Sequence, residues 1–455
     1  MRRLPLLFAL VLPMVFLHSD YQPSVSFGQA TLYLSDVAVL AAFAIAVAAG
    51  LRHGFAPLRA APSIWVASGA FLMVVFASNL YGEAVDSDYA FYTHFLTAAK
   101  FGEYALLAPA AALVFRGATD LTPLLVTMTA WSVAATTGAA LQFLGLVNEF
   151  EGRRPGQREP SFLGIHDLAA LSGATLSIGL LALALGERRR LGAVAGVSGG
   201  LGVVLSGATT ALVGIVAAGG AAWLLGRRRA LAIAAVVLLV SGGVVAIRTV
   251  DTRPLLDALG IERPRDVATD PEASWQQRLA LAYIGGRIFL DHPVFGAGWQ
   301  RSEDADVYLQ HVDDARRRFP DLPEIALPSP AHPWGVQNAY VQAAADMGVI
   351  GLAAFLALFL VPLRVAWRAG PAGGVPILWL LVAMGVWIGL GLVAGIPLVG
   401  LTWLAIGLAA AAAAWTRGVS RPQVADPLTR NRDAKTPNAR PLRGRGHSDF
   451  QSGPD

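Results

Sequence analysis

The most constraining feature of the chain is a series of unbroken apolar runs, each about 18–24 residues long. That length carries a helix, at about 1.5 Å per residue, across a hydrocarbon core of roughly 30 Å. Lipid offers no hydrogen-bond partners, so such runs satisfy their backbone internally, as helices or in a closed barrel. These runs are continuously apolar and do not alternate, which excludes a barrel. Composition agrees, with 55% hydrophobic and 15% charged residues; a soluble chain carries about a quarter charged residues. The expected fold class is all-α: a polytopic membrane protein of about 12 transmembrane helices.

The spans read from the sequence are 4–18, 30–50, 62–81, 93–115, 123–146, 163–185, 191–206, 209–226, 230–247, 338–364, 376–394 and 397–416. The first follows Arg2-Arg3, so a cleaved signal peptide is the rival reading. No small-x-small site follows Leu17-His18-Ser19-Asp20, which favours a retained helix. Orientation follows from Lys and Arg in short loops. Arg2-Arg3, Arg52 with Arg59, Arg116, Arg188 to Arg190, Arg227 to Arg229, and Arg364 with Arg368 mark alternate loops. Twelve crossings put all of these on the cytoplasmic side of a bacterial inner membrane, with both termini. Residues 1–247 then hold helices 1–9, and 248–337 form one large extracytoplasmic, partly helical loop between helices 9 and 10. Residues 338–416 hold helices 10–12. Residues 417–455 form a basic cytoplasmic tail with too few large apolar residues to fold, and read as disordered. Small-residue clusters at Gly196–Gly202 and Ala217–Ala222 let helices approach closely. The chain has 0 cysteines. That removes disulfides, iron–sulfur clusters, thiolate zinc sites and cysteine nucleophiles.

The large loop carries the informative residues. After an irregular opening, Ser274 starts a helix whose face is Trp275, Leu279, Ala282, Gly286 and Phe289, at spacings of four and three. This helix is expected to lie on the membrane surface or on the bundle. Asp291-His292-Pro293 ends it. Phe295-Gly296-Ala297-Gly298-Trp299 follows as a turn, then a polar stretch, then Ala331-His332-Pro333-Trp334-Gly335-Val336-Gln337-Asn338-Ala339-Tyr340 leads into the tenth span. Trp299 and Trp334 fit an interfacial belt. Inside the fourth span, Lys100 is costly in lipid and calls for a partner, with Glu103 three residues on. Asp36 reads as a snorkelling residue near a helix end.

These motifs carry a resemblance. Gln277-Arg278-Leu279, then Asp291 to Gly298, then Asn338-Ala339-Tyr340-Val341-Gln342 with Asp346-Met347-Gly348 and Gly351, resemble the ordered motifs of the O-antigen ligase and polymerase superfamily. Arg158 to Ala169 and Leu205 to Leu212 resemble two upstream family segments in the same order. The resemblance implies a metal-independent membrane glycosyltransferase with no cofactor. Its donor would be an undecaprenyl-diphosphate-linked glycan, its acceptor a lipid or glycan hydroxyl, and its surroundings membrane lipids; nucleic acid has no part. It also implies outward Arg residues that hold the diphosphate and a closing His that activates the acceptor. This chain departs twice. Gln337 stands where the family has His, and the family's second Arg falls at Thr209.

Chemistry asks for the same groups. A diphosphate leaving group gains negative charge in the transition state, so fixed cations lower the barrier. The planar, always-charged Arg fork suits it. Arg278 is the first candidate. Arg153, Arg154 and Arg158 form a second outward basic group. A hydroxyl nucleophile wants a base, and His is the usual one. Gln337 can only orient an acceptor, which leaves His332 as the nearest substitute. His292, Asn338 and Tyr340 complete the candidate substrate contacts, although His292 also serves to end a helix. The competing readings are a glycolipid transporter or flippase, and a family member without catalysis that acts in envelope polysaccharide assembly. A transporter should show internal symmetry with broken helices at matching positions, and none is visible here.

Overall fold

The computed structural model describes residues 3–17, 21–28, 30–85, 89–147, 158–186, 188–208, 211–225, 229–249, 271–369 and 400–418. The expected span 376–394 and the tail from 419 lie outside them, as do Arg153, Arg154 and Thr209.

Helix covers all or most of the described part of each other expected span. In chain order these are α1 (Arg3–Val15), α2 (Leu34–His53), the single turn α3 (Ala56–Arg59), α4 (Pro62–Val85), α5 (Phe91–Ala105), α6 (Leu107–Val114), α7 (Leu121–Phe143), α8 (Ile165–Leu185), α9 (Arg189–Ser206), α10 (Ala211–Leu225) and α11 (Ala230–Thr249). The loop and last helices are α12 (Pro271–Asp291), α13 (Ala305–Arg318), α14 (Ala339–Ala369) and α15 (Gly400–Thr416). Among the described residues, six helices are long and apolar enough to cross a membrane.

Two expected spans are changed by local chemistry. The fourth is broken at Leu106 into α5 and α6. Pro109 lacks the N–H that would bond the Ala105 carbonyl, and its ring crowds that carbonyl. The second span starts later than read. Residues 24–33 form an antiparallel hairpin, β1 (Ser24–Phe27) and β2 (Ala30–Tyr33), with Val25 opposite Leu32. β-Branched and aromatic residues favour strands there.

Small residues set the closest crossings. A Cβ at Gly199 on α9 would run into the Leu176 amide of α8, and one at Gly179 would lie 2.6 Å from Gly196 N. Backbones this close gain dense dispersion contact, which takes the place of the hydrophobic drive that lipid removes.

Within the loop, α12, α13 and the 322–327 segment build a core of their own from Ala280, Ile284, Ile288, Val307, Tyr308, Val312, Ala315, Leu322 and Leu327. The buried face of α12 is therefore Ala280, Leu281, Ile284 and Ile288. The stripe singled out in the sequence is a different one: Leu279 is exposed, Ala282 and Phe289 are half-buried, and the space beside Gly286 is open. The sequence carries two apolar stripes on α12, and the one that meets α13 is buried.

Candidate functional site

The site is organised by a backbone clamp between the turn after α12 and a break in α14. Pro293 follows α12 and removes a donor. His292 N–H still bonds Ile288 O at 3.0 Å, closing the helix. The chain then turns through Gly296 (φ +73°) and Gly298 (φ +123°), conformations that strain any residue with a Cβ. On the other side, α14 is interrupted at Gly348, where φ is +65° and ψ −164°. The two irregularities meet. Ala297 N–H donates to Ala345 O and Gly298 N–H to Asp346 O, both at 2.9 Å, and Val349 N–H donates to Pro293 O at 2.9 Å. A Cβ at Gly296 would overlap the Asp346–Met347 peptide, and one at Gly348 the Val294 carbonyl. The break in α14 thus leaves its carbonyls free for the turn, and the glycines let the two chains touch.

Side chains from α4 and α5 fasten the same region. Ser78 Oγ donates to Asp346 O at 3.0 Å, and Ser302 N–H donates to the buried Asp346 carboxylate at 3.0 Å. Tyr89 OH donates to Trp299 O at 3.1 Å and its ring stacks on His94, centroids 4.8 Å apart. Burial raises the Tyr89 hydroxyl pKa, so it remains a donor. His94 Nε2 lies 3.1 Å from Asp304 Oδ2. The Thr97 hydroxyl lies 2.7 Å from Gln300 Oε1 and accepts from Trp299 Nε1 at 3.0 Å. Trp299 is buried against Phe101, 5.8 Å between centroids, so it is a core residue and not part of an interfacial belt. Arg301 is also buried, 2.8 Å from Asp306.

The residues singled out in the sequence fall into several places. Arg278 is half-buried on α12. Seven residues on, about the same face carries Gly285, whose absent side chain makes room for Val336 and Val341. Gly285 meets 336 and 341 while Gly296 meets 346 and 347, so the two segments advance side by side. His332 is exposed. Its backbone N–H and C=O both bond Ser329, and its ring stacks on Trp334 at 6.2 Å. Gln337 adopts φ +52°, a conformation uncommon for a residue with a Cβ. Asn338 accepts from the Tyr340 and Val341 N–H groups at 3.1 Å, which caps α14. The Tyr340 ring packs edge-on against Phe355, 5.5 Å away. His292 is exposed at the end of α12. Arg158 packs on Gly207, and Glu159 N–H bonds Leu205 O at 2.8 Å, so the two upstream segments meet. Lys100 pairs with Asp36, 3.1 Å away, and sits 4.1 Å above the Tyr33 ring. Its direct ion pair is thus with α2, and not with Glu103 on its own helix.

Two contributors lay beyond sequence reasoning: Glu303, which accepts a 3.2 Å hydrogen bond from the motif residue Gln342, and the helix α13. For α13 a signal existed. Val307, Tyr308, His311, Val312 and Ala315 recur at helical spacing.

Residues 191–356 match the O-antigen ligase family, from the start of α9 to beyond the break in α14. This stretch is an O-antigen ligase family domain, and it supports membership of the O-antigen ligase superfamily. No curated protein matches the chain. The matched stretch contains Arg278, the clamp glycines Gly296, Gly298 and Gly348, and Gln337. Membership supports a membrane glycosyltransferase-like role in polysaccharide assembly, with lipid-linked glycan and acceptor substrates in general.

Proposed function

We propose that this protein is a membrane glycosyltransferase that moves a glycan from an undecaprenyl-diphosphate carrier to an acceptor hydroxyl at the outer face of the bacterial inner membrane. It acts as an O-antigen ligase or as a polysaccharide polymerase. The observation that carries the reading is the clamp inside the matched region: the turn of residues 293–298 is bonded to residues 345–349, and α12 runs beside the start of α14. In this reading Arg278 faces the lipid diphosphate and neutralises the charge that grows as the sugar–phosphate bond breaks. Fixed donors of this kind typically contribute about 10²–10³ in rate. Arg158, Arg153 and Arg154 supply further positive charge. The acceptor approaches between His332 and Gln337.

Purified protein in liposomes, given a polyprenyl-diphosphate oligosaccharide and candidate acceptors, tests the proposal. Arg278→Ala is expected to abolish glycan transfer while the protein still inserts. Unchanged transfer in that variant rules out the assignment of Arg278. A second reading, an assembly partner without catalysis, is favoured by Gln337 in place of the family's His. It predicts donor binding with no turnover under any acceptor. Mass spectrometry of envelope glycans in a deletion strain separates ligation from polymerisation by the precursor that accumulates.

A further inference from the structure

A transferase that attacks with a hydroxyl needs somewhere for the proton to go, and the residues first considered for this are poorly suited. Gln337 has no proton equilibrium near neutral pH. The His332 ring is engaged with Trp334, and its backbone is tied on both sides to Ser329. A carboxylate stands nearer the cap of α14. Glu303 closes the short turn Arg301–Glu303, immediately after the clamp. Its Oε1 accepts from Gln342 Nε2 at 3.2 Å, one turn into α14 from Asn338. A Cβ at Gly335 would lie 2.7 Å from the same oxygen, so the carboxylate rests against the chain two residues before Gln337. The residue is exposed to solvent, yet surrounding protein desolvates its carboxyl and raises its pKa. The carboxylate is thus solvent-accessible while held against Gly335 and Gln342.

The groups around it are accounted for. Asp304, its neighbour, adds to the upward shift; His94 from α5 and the Gln342 hydrogen bond oppose it. Asp346 from α14 feels the Glu303 charge in turn. Asp304 is itself held by His94.

We propose that Glu303 is the general base that takes the acceptor's hydroxyl proton, with Gln342 holding its carboxylate in place. This rests on the transferase reading above. The acceptor oxygen forms a bond to the anomeric carbon of the donor sugar. The bond from that carbon to the phosphate oxygen breaks, and its electron pair leaves with the lipid diphosphate. The hydroxyl proton passes to the Glu303 carboxylate and then to water. No further reactant is needed. Its position beside the cap of α14, its access to solvent and a pKa raised by desolvation suit a base for a weak nucleophile.

The test uses full-length protein in liposomes with a synthetic polyprenyl-diphosphate oligosaccharide and an acceptor that supports wild-type turnover. Glu303→Gln keeps an oxygen that can accept from Gln342. It is expected to lower kcat by about 100-fold or more, with donor KM little changed, and to remove the fall in rate on acidification. A Glu303→Gln enzyme within about threefold of wild type, with the same acidic limb, overturns the assignment. Should Glu303→Gln lower Tm, Glu303→Asp decides: a displaced acidic limb supports the base, and a wild-type limb overturns it. A wild type that forms no product with any carrier-linked glycan overturns the transferase reading, and this inference with it. Wild-type turnover with unimpaired Glu303→Gln overturns the base alone.

Discussion

At Gly296 and Gly348 a single methyl group is too large. Each residue has positive φ, and at each an added Cβ would meet backbone that has nowhere to move. The conformational cost alone is about 1–2 kcal/mol, and overlap with a main chain adds about 1–3 kcal/mol. Gly296→Ala and Gly348→Ala are expected to lower thermal stability by about 2–5 kcal/mol and to reduce insertion yield, read by the melting of detergent-solubilised protein. Arg278 makes a different prediction. Arg278→Lys keeps the charge but loses the fork that grips two phosphate oxygens. Its transfer rate is expected to fall by at least about tenfold while Tm is unchanged. An equal rate for Lys and Arg would mean that charge alone matters at this position.

At the scale of elements, the ion pair between α2 and α5 ties the hairpin to the bundle. Asp36 is buried, accepts from Tyr33 N–H at 2.8 Å, and faces Lys100 at 3.1 Å. Lys100→Met strands a carboxylate. Loss of one partner of a buried pair costs about 3–5 kcal/mol, and Lys100 is partly exposed, so about 2–3 kcal/mol is expected. The double variant Lys100→Met with Asp36→Asn should recover most of it. Between α12 and α13, buried His311 lies 3.3 Å from Asp291. Desolvation lowers the His311 pKa more than Asp291 raises it. The unfolded chain therefore binds this proton more readily than the folded loop. The neutral-His contribution is fully present above the ordinary value of 6.5 and is lost as pH falls below it. Hydrogen exchange of α13 should quicken on acidification in wild type, and His311→Gln should flatten that response. Elements were unevenly legible. Apolar runs located the bundle helices because lipid forces that pattern. The stripe of α12 that packs on α13 was not singled out, because α13 was not recognised and two apolar stripes cannot be ranked without the partner. The Arg278 helix, the double-glycine turn and the Asp346–Gly348 segment were legible as motifs. The Glu303–Gln342 contact, 39 residues apart, was not.

At the scale of the molecule, the positive-inside pattern predicts that residues 249–336 face away from the cytoplasm, as the proposed chemistry requires. The chain has 0 cysteines, so single introduced thiols report topology without background. Gln310→Cys, on the exposed side of α13, should react with a membrane-impermeant maleimide in intact spheroplasts. Arg59→Cys should react only after the membrane is opened. The reverse pattern would put the loop inside the cell and end the transferase proposal.

The three main-chain bonds between residues 293–298 and 345–349 use no side chain, which separates holding from recognising. The chain between those anchor points, from Arg301 to about Pro330, is pinned at its ends by main chain and along its length by its own contacts, among them Glu303 with Gln342 and Asp304 with His94. Exchanging residues 305–330 for the corresponding segment of a relative, with Glu303 kept, should leave the clamp formed and alter which acceptor is used. Acceptor preference in this chain would then be a portable property, separable from the membrane scaffold.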